Sequence, residues 1–218
     1  MAQTSKQTRD RILQAAAEVF LQKGRDGTRM QDIARRAGIN QALLNYHFRS
    51  KNRLYQIVLR NHLDRFLNNF FEAIQEQSDF ETFLQHFIGH YIEGLSRQPE
   101  IVQFVLWEIR DGGRVFRSIL RRRMDKIRGT ESSFVGRLQA AVQNGQIRPV
   151  DPIQFLTSLL GMCVYPFIAR PLLENILLQS EGIPFDTFIE ERKAAIFDLV
   201  WNGLQKKSAA TPTPEVRT

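Results

Sequence analysis

Between Gly24 and Lys51 the chain stops and restarts its helices three times, and few folds accommodate such short pieces. Ile12, Leu13, Ala16, Val19 and Phe20 recur at helical spacing and predict a first helix, closed by Gly24. Thr28, with Gln31 three residues on, reads as a capping box for a second helix of about three turns. Met30, Ile33, Ala34 and Ala37 form its buried stripe, and Gly38 supplies the left-handed stop. Asn40 is placed to cap a third helix of about two turns carrying Leu43, Leu44 and His47. Ser50 then caps a long fourth helix with Leu54, Ile57 and Val58 on its apolar face. No strand pattern competes anywhere, so the expected class is all-α.

Two helices joined by a short turn containing glycine, the second too short to hold together alone, make the pattern of a helix-turn-helix. Leu44 and Phe48 are spaced to pack on the first two helices, which leaves the opposite face free for a major groove. Helical hairpins with glycine turns also occur in proteins that bind no nucleic acid, so the local charge carries weight here. Residues 1–53 hold eleven Lys or Arg against Asp10, Glu18, Asp26 and Asp32, while the remainder carries nineteen of each sign. The whole net charge of +7 therefore lies in the first quarter of the chain. That asymmetry suits a module that meets a polyanion, although a basic solvated face has the same composition.

Other classes find less support. Cys163 is the single cysteine, so no intramolecular disulfide forms, and it has no ligand-spaced neighbours for zinc. The N-terminal MAQTSKQTRDR is polar where a signal peptide is apolar, and the run Leu159 to Ala169 is too short to span a bilayer. A soluble cytoplasmic protein without a membrane partner is expected. No nucleophile–base set, paired carboxylates or glycine-rich phosphate loop is present, so neither an enzyme nor a cofactor is expected. His86 and His90 stand at i and i+4, with Glu93 one turn further. That spacing suits a metal, but with no fourth ligand a structural or solvated pair is the expectation.

The residues Thr28, the DIARRAG run from Asp32 to Gly38, Ile39, the YHF triplet from Tyr46 to Phe48, Lys51 and Leu54 resemble the TetR family of bacterial transcriptional repressors. The resemblance covers about residues 9 to 58, with weaker echoes in PEI from Pro99 and NGQIRPVDP from Asn144. It implies a helix-turn-helix three-helix domain over residues 1–53 and a helical ligand-binding and dimerisation domain over 54–207. By position it places phosphate contacts on Thr28, Tyr46, His47 and Lys51, with Arg49 and Arg53 flanking Lys51. Lys51 stands in the first turn of a helix, where free N–H groups and the helix dipole already favour an anion. Gln41 and Asn45 are the candidates for base reading, since an amide pairs with adenine N6 and N7 together.

The chain also departs from the family. Leu43 stands where Thr or Ser is usual and Asn45 where Tyr is usual. Leu43 either packs on a thymine methyl or belongs to the core. Asn45 either replaces the lost phosphate contact, reads a base or has no role. Lys6, Arg9 and Arg11 either reach the DNA or belong to a frayed terminus.

Beyond the fourth helix the chain is neutral overall and rich in Phe, which permits either an apolar ligand cavity or an ordinary aromatic core. The resemblance puts the cavity among the middle helices, with Phe66, Phe87, Tyr91, Phe104, Trp107 and Met162 as lining candidates. The basic run Arg114, Arg117, Arg121, Arg122, Arg123, Lys126 and Arg128 either holds an anionic effector or forms a solvated face. Asp151-Pro152 starts a helix that is apolar nearly all round to Ile168 and therefore needs two buried faces. Pro166 and Pro171 are placed to kink or divide it.

The last helix carries Phe185, Phe188, Ile189, Ala195, Ile196, Leu199, Val200 and Gly203, and the resemblance implies that these two helices form a four-helix bundle between subunits. A monomeric core is the alternative. Residues 208–218 have no apolar period and read as a disordered tail. The expected function is a homodimeric regulator, a repressor released from a palindromic DNA operator by a largely apolar small-molecule effector. The alternative is a helical ligand-binding or scaffold protein that has lost specific DNA recognition.

Overall fold

The computed structural model describes residues 2–73, 79–127 and 133–206, and among these every regular element is helical. The helices are α1 (Ala2–Gly27), α2 (Met30–Arg36), α3 (Gln41–Phe48), α4 (Lys51–Ala73), α5 (Phe80–Arg97), α6 (Glu100–Arg110), α7 (Arg114–Ile127), α8 (Phe134–Gln143) and α9 (Pro152–Ile168). After α9 come the short α10 (Arg170–Leu172), a π-helical stretch (Leu173–Leu178), α11 (Gln179–Glu181) and α12 (Phe185–Leu204). The tail expected to be disordered, like Arg128 of the basic run, lies outside the described residues.

The chain divides into two compact units. The first takes α1 to α4, the end of α5 from Glu93, α6 and α7 to Lys126; the second takes α5 to Ile92 and the helices from α8 onward. The expected domain boundary at residue 53 falls inside α4, which runs unbroken because Leu54, Tyr55, Val58 and Leu59 are buried at its start. Tyr55 meets Phe20 of α1 edge-on, with ring centroids 5.1 Å apart, and Phe104 of α6 at 6.2 Å. Edge-to-face pairs of this kind add to the area they bury. Further along α4, Phe66 packs closely on Gly94, where a Cβ would stand 2.7 Å from the ring.

In the second unit, Phe134 of α8 gathers Phe83, Phe87 and Phe155 around it, with centroids 4.8 to 6.0 Å away. The α8–α9 connection closes the end of α12: the Arg148 N–H donates to Leu204 O and its Nε to Gly203 O, two carbonyls a helix end leaves open. Asp151 caps α9 through Gln154 N at 2.8 Å, as expected. Pro166 stays within α9 and the chain breaks at Ala169, between the two prolines, with a 61° bend into the following segment. No single helix among the described residues is long and apolar enough to cross a membrane.

The capping box on α2 does not form. The cap position falls on Arg29, whose side chain makes no capping bond, and Thr28 turns inward. Its hydroxyl donates to Gly24 O at 2.6 Å, because α1 breaks at Gly24 (φ 69°, ψ 172°) and leaves that carbonyl without a helical donor. Thr28→Val keeps the shape and strands the carbonyl, so urea unfolding should show a loss of about 1 to 2 kcal/mol. An unchanged midpoint would show that water replaces the hydroxyl at no cost.

Candidate nucleic-acid interface

The α2–α3 hairpin owes its geometry to its turn and one cap. Gly38 takes φ 63°, which a residue with a Cβ avoids, and Ile39 N closes back onto Ala34 O at 3.0 Å. The Asn40 side chain then accepts from Leu43 N at 2.7 Å and starts α3 where expected. Leu44 and Phe48 are fully buried. The other side of this short helix carries Gln41, Ala42, Leu43, Asn45 and Tyr46, all exposed, with Tyr46 at 81%. Tyr46 stands edge-on to the half-buried His47, centroids 5.5 Å apart. Leu43, 37% exposed, does not join the core, because Leu44 and Phe48 already occupy the side of α3 that faces inward.

Two expected anchors are engaged elsewhere. The Thr28 hydroxyl points at Gly24 rather than at solvent. The Lys51 ammonium donates to Asp26 O at 3.1 Å and Thr28 O at 3.0 Å, tying the start of α4 to the α1–α2 connection. Lys51 thus positions the hairpin through the same group that would meet a phosphate. Ser50 caps α4 through Arg53 N at 3.2 Å.

Arg49 is more unusual than the sequence suggested. It is the one non-glycine residue with positive φ among those described, at φ 60°, ψ −38°. Its own N–H donates to Asn45 O and the next N–H, on Ser50, to Phe48 O at 2.7 Å, which makes a γ-turn between α3 and α4. Such a turn is strained for a residue with a Cβ and holds an arginine at the end of α3. Basic sequence around a helix start gave no sign of it.

Charge is distributed in a way that favours an anion. Glu18 pairs with Arg36, Asp32 with Lys23 and Arg35, and Asp26 with Arg25. The hydrogen bond from Lys23, 2.7 Å long, leads the causes that hold the Asp32 carboxyl below its ordinary range. Arg9 lies over the Phe48 ring. Lys6, Arg11, Arg29, Arg49 and Arg53 make no ion pair among the described residues, so the surplus charge of the first 53 positions is left open.

The candidates for an apolar pocket are divided between the two units. In the first, Phe66 lies on Gly94, and Phe104 is enclosed by Tyr55, His62 and Trp107. In the second, Phe87 stacks on Tyr91 and Met162 is half-buried on α9. His86 and His90 stand edge-on with centroids 5.8 Å apart, while Glu93 pairs with Arg97 at 3.3 Å. Of the basic run, Arg114, Arg117, Arg121 and Arg122 are exposed. One site residue escaped the sequence reading: Glu108 is buried on α6, in register with Ile101 and Phe104. A carboxylate on an apolar stripe was the available signal.

With this geometry in place, comparisons with known proteins agree. The pattern of the family described as bacterial regulatory proteins, tetR family, matches residues 12–58. The transcriptional regulator RutR of Escherichia coli is 30% identical over 145 residues, which is 65% of this chain and 65% of RutR, so the chain spans a little under two thirds of that relative. The transcriptional repressor NicS of Pseudomonas putida is 27% identical over 67% of each chain. Among solved structures, the regulator FadR of Bacillus subtilis in complex with stearoyl-CoA superposes with a TM-score of 0.64 at 15% identity, covering 90% of this chain and all of that one, which speaks for the fold alone.

The γ-turn yields a direct test. Arg49→Gly removes the strained Cβ and should raise stability by up to about 1 kcal/mol, whereas Arg49→Ala keeps the Cβ and should gain nothing. Equal urea midpoints for the two variants would show that the turn stores no strain.

Proposed function

The chain belongs to the TetR family of bacterial regulatory proteins, and on that footing we propose that it is a homodimeric, sequence-specific transcriptional regulator, a repressor released from a palindromic operator by a small, largely apolar effector. One observation carries the DNA-binding part. The exposed side of α3 presents Gln41, Asn45 and Tyr46, with Arg49 and Arg53 open beside its end. Gln41 and Asn45 read bases, Tyr46, His47 and Arg49 meet phosphates, and Lys51 does both jobs, anchoring backbone inside the hairpin and presenting charge outside it. Such a protein works in the cytoplasm, where its operator is.

The dimer reading rests on apolar surface that the single chain leaves uncovered. On α9, Ile153, Tyr165 and Ile168 are exposed, and on α12 Leu199 is 63% exposed with Ala195 and Gly203 beside it on the same side. Ile189, Ile196 and Val200 serve the chain's own core, so α12 has a second apolar side left for a partner. Two reading heads then enter successive major grooves only when spaced by about 34 Å or a multiple. An effector that binds better to a differently spaced state lowers DNA affinity by shifting the population.

Gln41→Ala should cost about 1 to 3 kcal/mol on the operator and leave random DNA unaffected, with the salt slope unchanged. Lys51→Ala should weaken all DNA alike, lower the slope of log affinity against log salt by about one unit, and also reduce stability, since two backbone carbonyls lose their donor. Fluorescence anisotropy on both DNAs over a salt series reads these effects. Uniform loss with Gln41→Ala would remove base reading from α3.

For the dimer, sedimentation at micromolar concentration should give twice the 25.3 kDa chain mass. Leu199→Arg puts an unpaired charge into the contact and should shift the protein to monomer. A wild-type monomer would overturn the two-half-site mechanism.

A further inference from the structure

The first unit contains a cleft of about 350 Å³ lined by polar and charged side chains from the end of α1, from α4 and from the α6–α7 turn, and by none of the six apolar candidates. Its two acids are already answered. Asp111 pairs with Arg25 at 2.9 Å. Glu108 is 2% exposed, and one of its oxygens accepts from Val115 N at 3.1 Å and Phe116 N at 3.3 Å, so its charge faces the opening turn of α7. Arg60 and Arg114 also line the cleft and make no ion pair among the described residues. Tyr55 lines it too; it is 1% exposed, and its buried hydroxyl has no hydrogen-bonding partner. Burial first, and Glu108 second, push that phenol above its ordinary range, so it remains a proton donor.

We propose that this cleft is a binding site for a small oxyanion, a carboxylate or phosphate, held by Arg60 and Arg114 and accepting from the Tyr55 hydroxyl. The choice of ligand follows from what is left over. With both acids engaged, the groups left over are two cations, the Tyr55 donor and the neutral amides of Asn52 and Gln56, and no unpaired acid remains to answer a cation. An apolar guest would strand the phenol and strip water from two guanidinium groups. Guanidinium forks match carboxylate and phosphate oxygens geometrically. A guest bridging Arg60 on α4 to Arg114 on α7 holds α4, whose first turn carries Lys51, against the α6–α7 turn. Through α4 it sets the posture of the α2–α3 hairpin, a consequence that rests on the DNA-binding reading above.

The binding itself is tested without DNA. Thermal unfolding is followed while inorganic phosphate or malonate is titrated at ionic strength matched with sodium chloride. At ten times its dissociation constant the bound anion should raise the midpoint by roughly 3 to 6 °C. Arg60→Ala, at a half-buried side chain, and Arg114→Ala, at an exposed one, should abolish the shift, while Arg117→Ala, on the same helix as Arg114, keeps it. Tyr55→Phe should leave the unliganded protein at least as stable, since it deletes an unsatisfied hydroxyl, yet lower affinity about tenfold.

Response to phosphate but not malonate, or the reverse, assigns the source of the oxyanion. Absence of any shift, or the same shift in wild type and both cleft variants, overturns the proposal. A separate arm follows operator affinity with the effective anion present. A change lost in Arg60→Ala supports the regulatory consequence, and no change removes that consequence alone.

Discussion

An eight-residue helix has almost no stability of its own, because the cost of the first turn is repaid by only a few hydrogen bonds. Everything about the N-terminal part of this chain follows from having to hold α3 in place nonetheless. Asn40 fixes where it starts, the γ-turn at Arg49 fixes where it ends, and Leu44 and Phe48 attach one side to the core. Burying each such side chain contributes roughly 1.5 to 3 kcal/mol, more than a helix this short forfeits at its ends. The free side is consequently rigid without contributing to stability, and its residues are available for recognition.

Holding α3 also requires that α1 and α4 be held to each other. Phe20 and Tyr55 meet at the centre of that packing, and the Lys51 ammonium closes the connection between α1 and α2 from the side of α4. Tyr55 belongs to this core by its ring and to the polar cleft by its hydroxyl, so the same residue is a packing element and an unsatisfied donor. Gly24 shows a related economy. Its left-handed backbone frees a carbonyl for Thr28, and a Cβ added there would only just reach the Trp107 ring, at 4.0 Å. A break in a helix and a side-chain cap are thus one local solution.

The second unit differs in kind. Its core is a cluster of phenylalanines around Phe134, and its two longest C-terminal helices keep apolar side chains outside as well as inside. The π-helical stretch after the 61° bend leaves Ile176 and Leu177 exposed too. Ile153, Tyr165 and Ile168 on α9 and Leu199 on α12 are the exposed apolar side chains on which the proposed subunit contact rests.

Much of this was legible in the sequence. Helical class, the interruptions at Gly24 and Gly38, the caps at Asn40, Ser50 and Asp151, and the burial of Leu44 and Phe48 all follow from local periodicity and local backbone chemistry, which act over a few residues. The family resemblance rests on the same short-range pattern. What local pattern could not supply was the partner of each polar group. Thr28 has the sequence of a cap, but a carbonyl freed at Gly24 competes for its hydroxyl; Lys51 has the setting of a phosphate anchor, and its ammonium also donates to two backbone carbonyls of the α1–α2 connection. The expected pocket residues are divided between two units, and the polar cleft joins residues from Arg25 to Ser118 that no window of sequence contains. Periodicity determines which side of a helix is buried, because that depends on spacing alone. Which donor meets which acceptor depends on where distant helices bring their side chains, and only the tertiary structure decides that.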